Sequence, residues 1–269
     1  MLRIHLFGPL RLLVDDAPWK FAAPPKAAPL LAYLLLHRGE QPLAREALAF
    51  TLWPDDPEPG ARANLRRHLH QLQRALPPAP ADRPWLISEA TTIQWNPAAD
   101  YWLDVAEFER LSQTEAATAE AAPLYTGDLL ENVYDDWLFY ERERLRDLYF
   151  AGLTSLVLQG RAARNYPEAL AYARQLLARD PLREDTVRQV LALRYESGDR
   201  AGAIQEYERF TRRLKEELAV DPMPETAAWF EAIVRNARLP GSDEARAADE
   251  MALAPRGQVG DLPEVHAAA

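Results

Sequence analysis

The chain has 269 residues and a net charge of −10, long enough for two domains with real cores. It contains no cysteine, which excludes disulfide scaffolds, thiol catalysis and cysteine-ligated metal centres, and fits a reducing cytosol. Gly8-Pro9 and Arg11 break the apolar start MLRIHLFGPLRLLV, and no later run approaches the roughly 18 apolar residues of a membrane span, so a soluble, cytoplasmic protein without a membrane partner is expected.

Leu2–Phe7 alternates in polarity and meets Gly8-Pro9; Arg11–Val14 follows, then the turn signal Asp15-Asp16 and the apolar Trp19 and Phe21. These predict short antiparallel strands, closed by Pro24-Pro25. A first helix is expected from near Pro29, carrying Leu30, Leu31, Tyr33, Leu34 and Leu35 and stopped by Gly39. A second is expected over Leu43–Trp53, with Leu43, Ala47, Leu48, Phe50 and Leu52 in the core. The proline-rich segment Trp53–Gly60 then separates it from Ala61–Leu76, ARANLRRHLHQLQRAL.

That third helix gathers Arg62, Arg66, Arg67 and Arg74 with no acidic residue among them. Leu65, Leu69, Leu72 and Leu76 form one apolar stripe. At about 100° per residue, Arg67 and Arg74 point away from it, flanked by Ala63, His70 and Gln71, with Asn64 and Arg66 further round. The helix is about 24 Å long, one face buried and the other able to offer guanidinium and amide groups to phosphates and base edges; a solvated basic face is the alternative for such a helix on its own. The charge partition supports this. Residues 1–100 carry eleven Lys+Arg against ten Asp+Glu, a net of +1, and the remainder carries −11, so the acid belongs to the second half. Pro77-Pro78 ends the helix, and Trp85–Ser88 and Thr91–Trp95 form a hairpin across Glu89-Ala90.

Strands, three helices with the third basic, and a terminal hairpin make a winged helix over residues 1–100. The basic helix is placed in the major groove of double-stranded DNA. The wing reaches the duplex through Thr91, Thr92 or Arg83, although strand propensity and loop solubility account equally well for those three. A winged helix can also bind protein. The competing reading is therefore a non-enzymatic interaction scaffold in which both halves bind protein partners.

LRIHLFGPLRLLVDD, LLAYLLLHRG, LWPD and ANLRRHLHQLQRAL, in this order and spacing, resemble the DNA-binding half of bacterial regulators of the antibiotic-regulatory-protein (SARP) type, which carry a bacterial transcriptional activator domain (BTAD). Their winged helix is of the response-regulator kind. The resemblance implies that the segment between the second and third helices touches RNA polymerase, here with Asp55, Asp56 and Glu58 facing a basic sigma- or alpha-subunit surface; a solvated acidic loop stiffened by prolines is the alternative. It also implies tandem direct repeats about one duplex turn apart, read by two copies side by side as a homodimer on DNA. Activation is expected rather than repression.

The second half is read as all-α. Asp104 and Glu107 are expected to form a capping-box-like pair, and Trp137–Gln159 one long helix, opened by Asp135-Asp136 as dipole-favoured acids. Arg142, Arg144 and Arg146 alternate with acids and read as a solvated face. From Asn165 a period of 34 emerges: Glu168-Ala-Leu170 recurs as Gly202-Ala-Ile204 and Leu176 as Phe210, the tetratricopeptide (TPR) spacing of paired antiparallel helices. Asp180-Pro181 and Asp221-Pro222 lie 41 apart, so the second unit is longer. LYTGDLL, WLFYERERLRDLY and the repeat segments also resemble the activator domain. The expected fold is mainly α: an N-terminal winged helix, a TPR-like activator domain over residues 101–238, and a disordered tail over 239–269 that is rich in Ala, Asp/Glu and Pro. Larger relatives continue into ATPase or sensor modules, and nothing of that kind is recognisable here.

No phosphate-cradling GxxxxGKS/T or GxGxxG is present, so no nucleotide cofactor is expected. His68 and His70, two apart on a helix, have poor metal-ligand geometry and are read as packing or hydrogen-bonding groups. No enzyme, metal or cofactor is expected.

Overall fold

The computed structural model describes residues 1–39, 41–114 and 117–240. The expected tail lies outside them from residue 241 on. The chain divides into two compact units, the first Met1–Ala162 and the second beginning at Ala163.

The first unit opens with a meander of β1 (Leu2–His5), β2 (Arg11–Val14) and β3 (Ala17–Trp19). Asp15 and Asp16 both take positive φ, 47° and 64°, as a two-residue type I′ hairpin turn requires and as short acidic side chains tolerate. Leu2 and Ile4 point into the core while Arg3 points out. Helix α1 (Ala27–Leu36) begins two residues earlier than Pro29 suggests and buries seven of its ten residues. It is apolar on nearly all sides because it is the central helix of the unit.

Leu43 and Ala44, expected to be helical, instead form a two-residue strand, β4, and α2 starts at Arg45 and runs to Leu52. Consequently only Leu48 and Leu52 of the predicted set are fully buried, with Ala49; Leu43 is half-buried, and Ala47 and Phe50 are exposed. α3 (Glu58–Ala75) takes Glu58, Pro59 and Gly60 as its first turn, with Pro59 in a first-turn position that needs no N–H donor. Trp19 Nε1 donates to the carbonyl of Ala75, at 2.9 Å, tying the meander to the end of α3.

The wing is β5 (Leu86–Ser88) and β6 (Thr92–Trp95), closed by Glu89 N–H on Thr92 O and completed by β4 in a sheet ordered β4-β6-β5. Trp95, fully buried, stacks on Trp85 at 5.8 Å. A further strand not read from the sequence, β7 (Tyr101–Leu103), pairs parallel to β1 and completes a sheet ordered β3-β2-β1-β7.

β7 leads directly into α4 (Asp104–Ser112), followed by α5 (Thr118–Ala121), a 3₁₀ turn at Ala122–Leu124 and the long α6 (Asp136–Ala162). The expected capping box is not formed. Asp104 is the first helical residue, 2% exposed, and its carboxylate accepts from the N–H groups of Leu6, Phe7 and Val105 at 2.8–3.0 Å; Glu107 pairs with Arg110 instead. The carboxylate thus satisfies two strand-end donors, 98 and 97 positions away, together with the N–H of the next residue in its own helix. Burial pushes its pKa up to about 6 against those hydrogen bonds. Burial, with Arg11 and Arg3 nearby, lowers that of neighbouring His5.

Of the three arginines of α6 expected on a solvated face, Arg144 is exposed, whereas Arg142 and Arg146 are half-buried. Arg142 donates to the carbonyls of Leu129 (2.6 Å), Leu130 and Val133 (2.6 Å). Arg144 pairs with Glu109 and Glu141, and Arg146 with Asp128 and Glu143. All four of these carboxylates lie in another segment of the first unit or one turn away along α6, so the alternation with acids reflects ion pairing.

The second unit is a pair of helical hairpins, α7 (Tyr166–Arg179) with α8 (Glu184–Glu196) and α9 (Arg200–Leu218) with α10 (Pro224–Val234). The 34-residue period holds at the backbone: Asn165 and Asp199, the residues preceding α7 and α9, have nearly the same φ/ψ, −84°/65° and −87°/61°. Ala169 and Ala203 are both fully buried, small residues where helices approach closely. α9 is five residues longer than α7, which is where the period breaks. Leu239, the first residue of the expected tail, is buried against Val187, Leu191, Phe210 and Ile233.

Candidate nucleic-acid interface

α3 places its residues by a division set in the sequence. Ala61, Leu65, His68, Leu69, Leu72 and Ala75 are buried, and Arg62, Arg66, Arg67, His70, Gln73 and Arg74 are exposed. His68 belongs to the core side: its Nδ1 lies 2.8 Å from the carbonyl of Asn64 and its ring 4.9 Å from that of Trp53. Arg66, Arg67, His70 and Arg74 share the outward face, opposite the buried stripe. Among the described residues none of these three arginines has a carboxylate within ion-pair distance.

The first turns of α3 differ. Arg62 pairs with Glu58 at 2.7 Å and with Glu46 of α2 at 3.1 Å, so the helix is not acid-free at its start. Asn64 is half-buried; its amide donates to Asp56 at 2.6 Å and its carbonyl oxygen accepts from Arg67 at 2.8 Å. Asp56 thereby orients Asn64, which orients Arg67. Gln71 is half-buried on the flank, and its Oε1 is buried without a partner. Of the acidic set in the preceding segment, Asp55 is exposed, Asp56 is engaged with Asn64, and Glu58 is part of the helix.

Thr91 is exposed at the wing tip, and Thr92 Oγ1 donates to Glu89 at 3.2 Å. The tip is held by Arg45, a residue the sequence reading did not single out. Its N–H bonds to Thr91 O at 2.9 Å, and its guanidinium reaches Glu89 O (2.9 Å) and Ser88 Oγ (2.5 Å). Nothing in local sequence signals this lacing, because its partners are more than forty residues away. Gln73 is also exposed on α3.

Between the start of α2, the first half of α3 and the wing tip lies an open cleft of about 330 Å³, lined by Arg45, Glu46, Arg62, Leu65, Arg66, Ala90 and Thr91. Of the residues that the sequence assigned to one surface, Arg62, Arg66 and Thr91 line this cleft, and Arg67, His70, Arg74 and Thr92 do not. Asn64 and Gln71 sit at the flank of that surface rather than at its crest. Such a surface can neutralise phosphates and donate bidentate hydrogen bonds. No helix among the described residues is long and apolar enough to cross a membrane.

Comparison with known proteins agrees with this architecture. Residues 103–234 match the bacterial transcriptional activator domain. The chain is 29% identical over 236 residues to the regulatory protein AfsR of Streptomyces coelicolor, covering 83% of this chain and 23% of AfsR. It is 27% identical over 263 residues to the transcriptional regulatory protein EmbR of Mycobacterium tuberculosis, covering 91% and 66%. The chain therefore spans about a quarter of AfsR's length and about two thirds of EmbR's. A solved structure of Mycobacterium tuberculosis EmbR, in complex with a low-affinity phosphopeptide, superposes with a TM-score of 0.62 at 21% identity over 93% of this chain and 69% of that one. Both the winged helix and the helical array are shared. With its activator-domain match and relatives aligned across both halves, the chain belongs to the SARP-type transcriptional regulators that carry a bacterial transcriptional activator domain.

Proposed function

We propose that this regulator acts by binding specific double-stranded DNA through α3, with the wing on the adjacent backbone, and activates transcription by contacting RNA polymerase. The observation that carries the reading is the outward face of α3. It presents Arg66, Arg67, His70 and Arg74 exposed, beside a wing tip fixed by Arg45, in a protein whose overall charge is −10. An exposed cluster of arginines without carboxylate partners in an acidic protein is a local positive footprint that fits a polyanion. Arginines bidentate to guanine each contribute about 1–3 kcal/mol of discrimination, and those on phosphate set register and salt dependence.

In this reading two copies bind direct repeats side by side, and the segment before α3 faces polymerase through Asp55, with Asp56 and Glu58 serving chiefly to orient Asn64 and Arg62. The domain division 1–100 and 101–238 follows the roles of the parts, whereas compactness joins α4–α6 to the winged helix. The test is a gel shift on genomic fragments recovered with the purified chain. Arg67→Ala with Arg74→Ala is expected to weaken binding at least about thirtyfold, two contacts at about 1–3 kcal/mol each. Unaltered affinity would remove α3 from the interface.

A further inference from the structure

The first three turns of α6 leave a second surface unexplained. Tyr134, just before the helix, is 89% exposed, and Phe139 and Tyr140 are 61% and 75% exposed, with the two helical rings 5.8 Å apart, edge to face. Large aromatics exposed together at one place differ from the scattered apolar residues of an ordinary surface. At 100° per residue, the face opposite buried Leu138 and Leu145 carries Asp136, Phe139, Tyr140, Glu143 and Asp147.

That face has no cation of its own. The guanidinium of Arg142 turns inward to the carbonyls of Leu129, Leu130 and Val133; Arg144 is held by Glu109 and Glu141, and Arg146 by Asp128 and Glu143. Among the described residues Asp136 and Asp147 are not ion-paired, nor is the nearby exposed Glu131. Aromatic faces attract cations through their quadrupole, and unpaired carboxylates around them add to that attraction. A neutral or acidic partner would desolvate these carboxylates with nothing in return, and DNA would be repelled.

The surface also adjoins the segment before α3. Lys26 donates to the carbonyl of Leu52, the last residue of α2, at 3.1 Å and pairs with Asp135, the residue before α6. Tyr33 of α1 meets Trp137 edge to face at 5.0 Å. The aromatic face therefore begins where α2 ends and the segment carrying exposed Asp55 starts.

We propose that Tyr134, Asp136, Phe139, Tyr140 and Asp147 form a docking surface for a basic, arginine- and lysine-bearing segment of RNA polymerase holoenzyme, extending the contact made by the Asp55 segment. The proposal rests on the polymerase contact proposed above. Its test uses the full chain with two paired variants of exposed residues, Phe139→Ala with Tyr140→Ala, and Asp136→Lys with Asp147→Lys. Promoter-fragment affinity is measured by gel shift, affinity of the fluorescently labelled chain for purified RNA polymerase holoenzyme by anisotropy, and self-association by sedimentation velocity.

Both variants are expected to bind DNA within about twofold of the unaltered chain and to bind holoenzyme at least about tenfold more weakly. The unaltered chain is expected to lose holoenzyme affinity as salt rises from about 50 to 300 mM. Holoenzyme affinity preserved in both variants overturns the proposal, as does loss of self-association with holoenzyme binding intact, which would make the occupant a second copy. Loss on Asp55→Ala alone overturns the α6 surface and keeps the loop contact; loss on the α6 variants alone keeps the surface and removes the loop. A chain that binds promoter DNA but no holoenzyme overturns the proposal while the DNA-binding reading stands.

Discussion

Replacing Arg142 with methionine isolates what one guanidinium contributes to the first unit. Methionine retains an unbranched stem for packing and deletes the donors. The guanidinium serves three carbonyls of the segment 129–133, and that segment is bonded to the opening strand region: Leu130 N–H to Leu6 O at 2.9 Å, Glu131 N–H to Gly8 O at 3.2 Å, and Gly8 N–H to Asp128 O at 2.9 Å. Leu130 also sits at φ 46°, a conformation that a side chain adopts at a cost. Hydrogen bonds to a charged donor are worth about 1.5–3 kcal/mol each. The arginine is only half-buried, so water replaces part of what is lost, and a net loss of about 2–4 kcal/mol is expected for the three together. Urea unfolding followed by tryptophan emission measures it, because Trp19, Trp53, Trp85, Trp95, Trp102 and Trp137 lie in the first unit and only Trp229 in the second. Arg144→Met is the control: its partners are partly exposed glutamates, and about 1 kcal/mol or less is expected. Equal midpoints for the two variants would refute the assignment of Arg142 as the clasp of this segment.

Arg62 must give up Glu58 and Glu46 to reach a phosphate, so Arg62→Ala is expected to weaken DNA binding less than about threefold, and Arg66→Ala about tenfold or more, in parallel gel shifts; the reverse order would place the DNA nearer the start of α3. Asp104, with its pKa raised from 3.8 to about 6 by burial, contributes stability that is fully present below about pH 3.8 and lost as pH rises through about 6. A carboxyl-carbon NMR titration, assigned with Asp104→Asn, is expected to show a midpoint near 6, and one below about 5 would contradict the burial argument. Ala169→Leu and Ala203→Leu each force a larger group into a fully buried close contact and are expected to cost about 1–3 kcal/mol in the second unit, read by helical circular dichroism; tolerance at both would deny the shared repeat geometry.

What could be read from the sequence was local. The leucine stripe of α3, the Asp15-Asp16 turn and the 34-residue recurrence of Ala169 at Ala203 each depend on neighbours within a few residues or on self-similarity. What could not be read was set by distant partners. Leu43 and Ala44 carry an ordinary helical pattern, and only pairing with Ile93 and Thr92 makes them a strand. Asp104 followed by Glu107 fits a helix cap until the N–H groups of Leu6 and Phe7 compete for the same carboxylate. The alternation of arginines and acids along α6 suits an exposed helix equally well as a clasp, and only the segment folded against it decides. Arg45 is the same case at the interface: an unremarkable residue by position, it is fixed by a wing tip more than forty residues later.

The charge of the basic helix shows the same division at finer grain. Along α3 the guanidinium groups fall into two kinds. Arg62 is neutralised within the fold by Glu46 and Glu58, and Arg67 is steered by Asn64, itself held by Asp56; Arg66 and Arg74 stand without carboxylate partners. The acids before the helix therefore do not cancel its basic face. They sit at the N-terminal end, where the helix dipole favours them, and aim the nearest polar groups, while net positive charge is displaced toward the middle and the C-terminal half of the exposed face. Residues 101–269 carry −11, so under the proposed DNA binding the charge distribution would orient a duplex along this strip as well as hold it there.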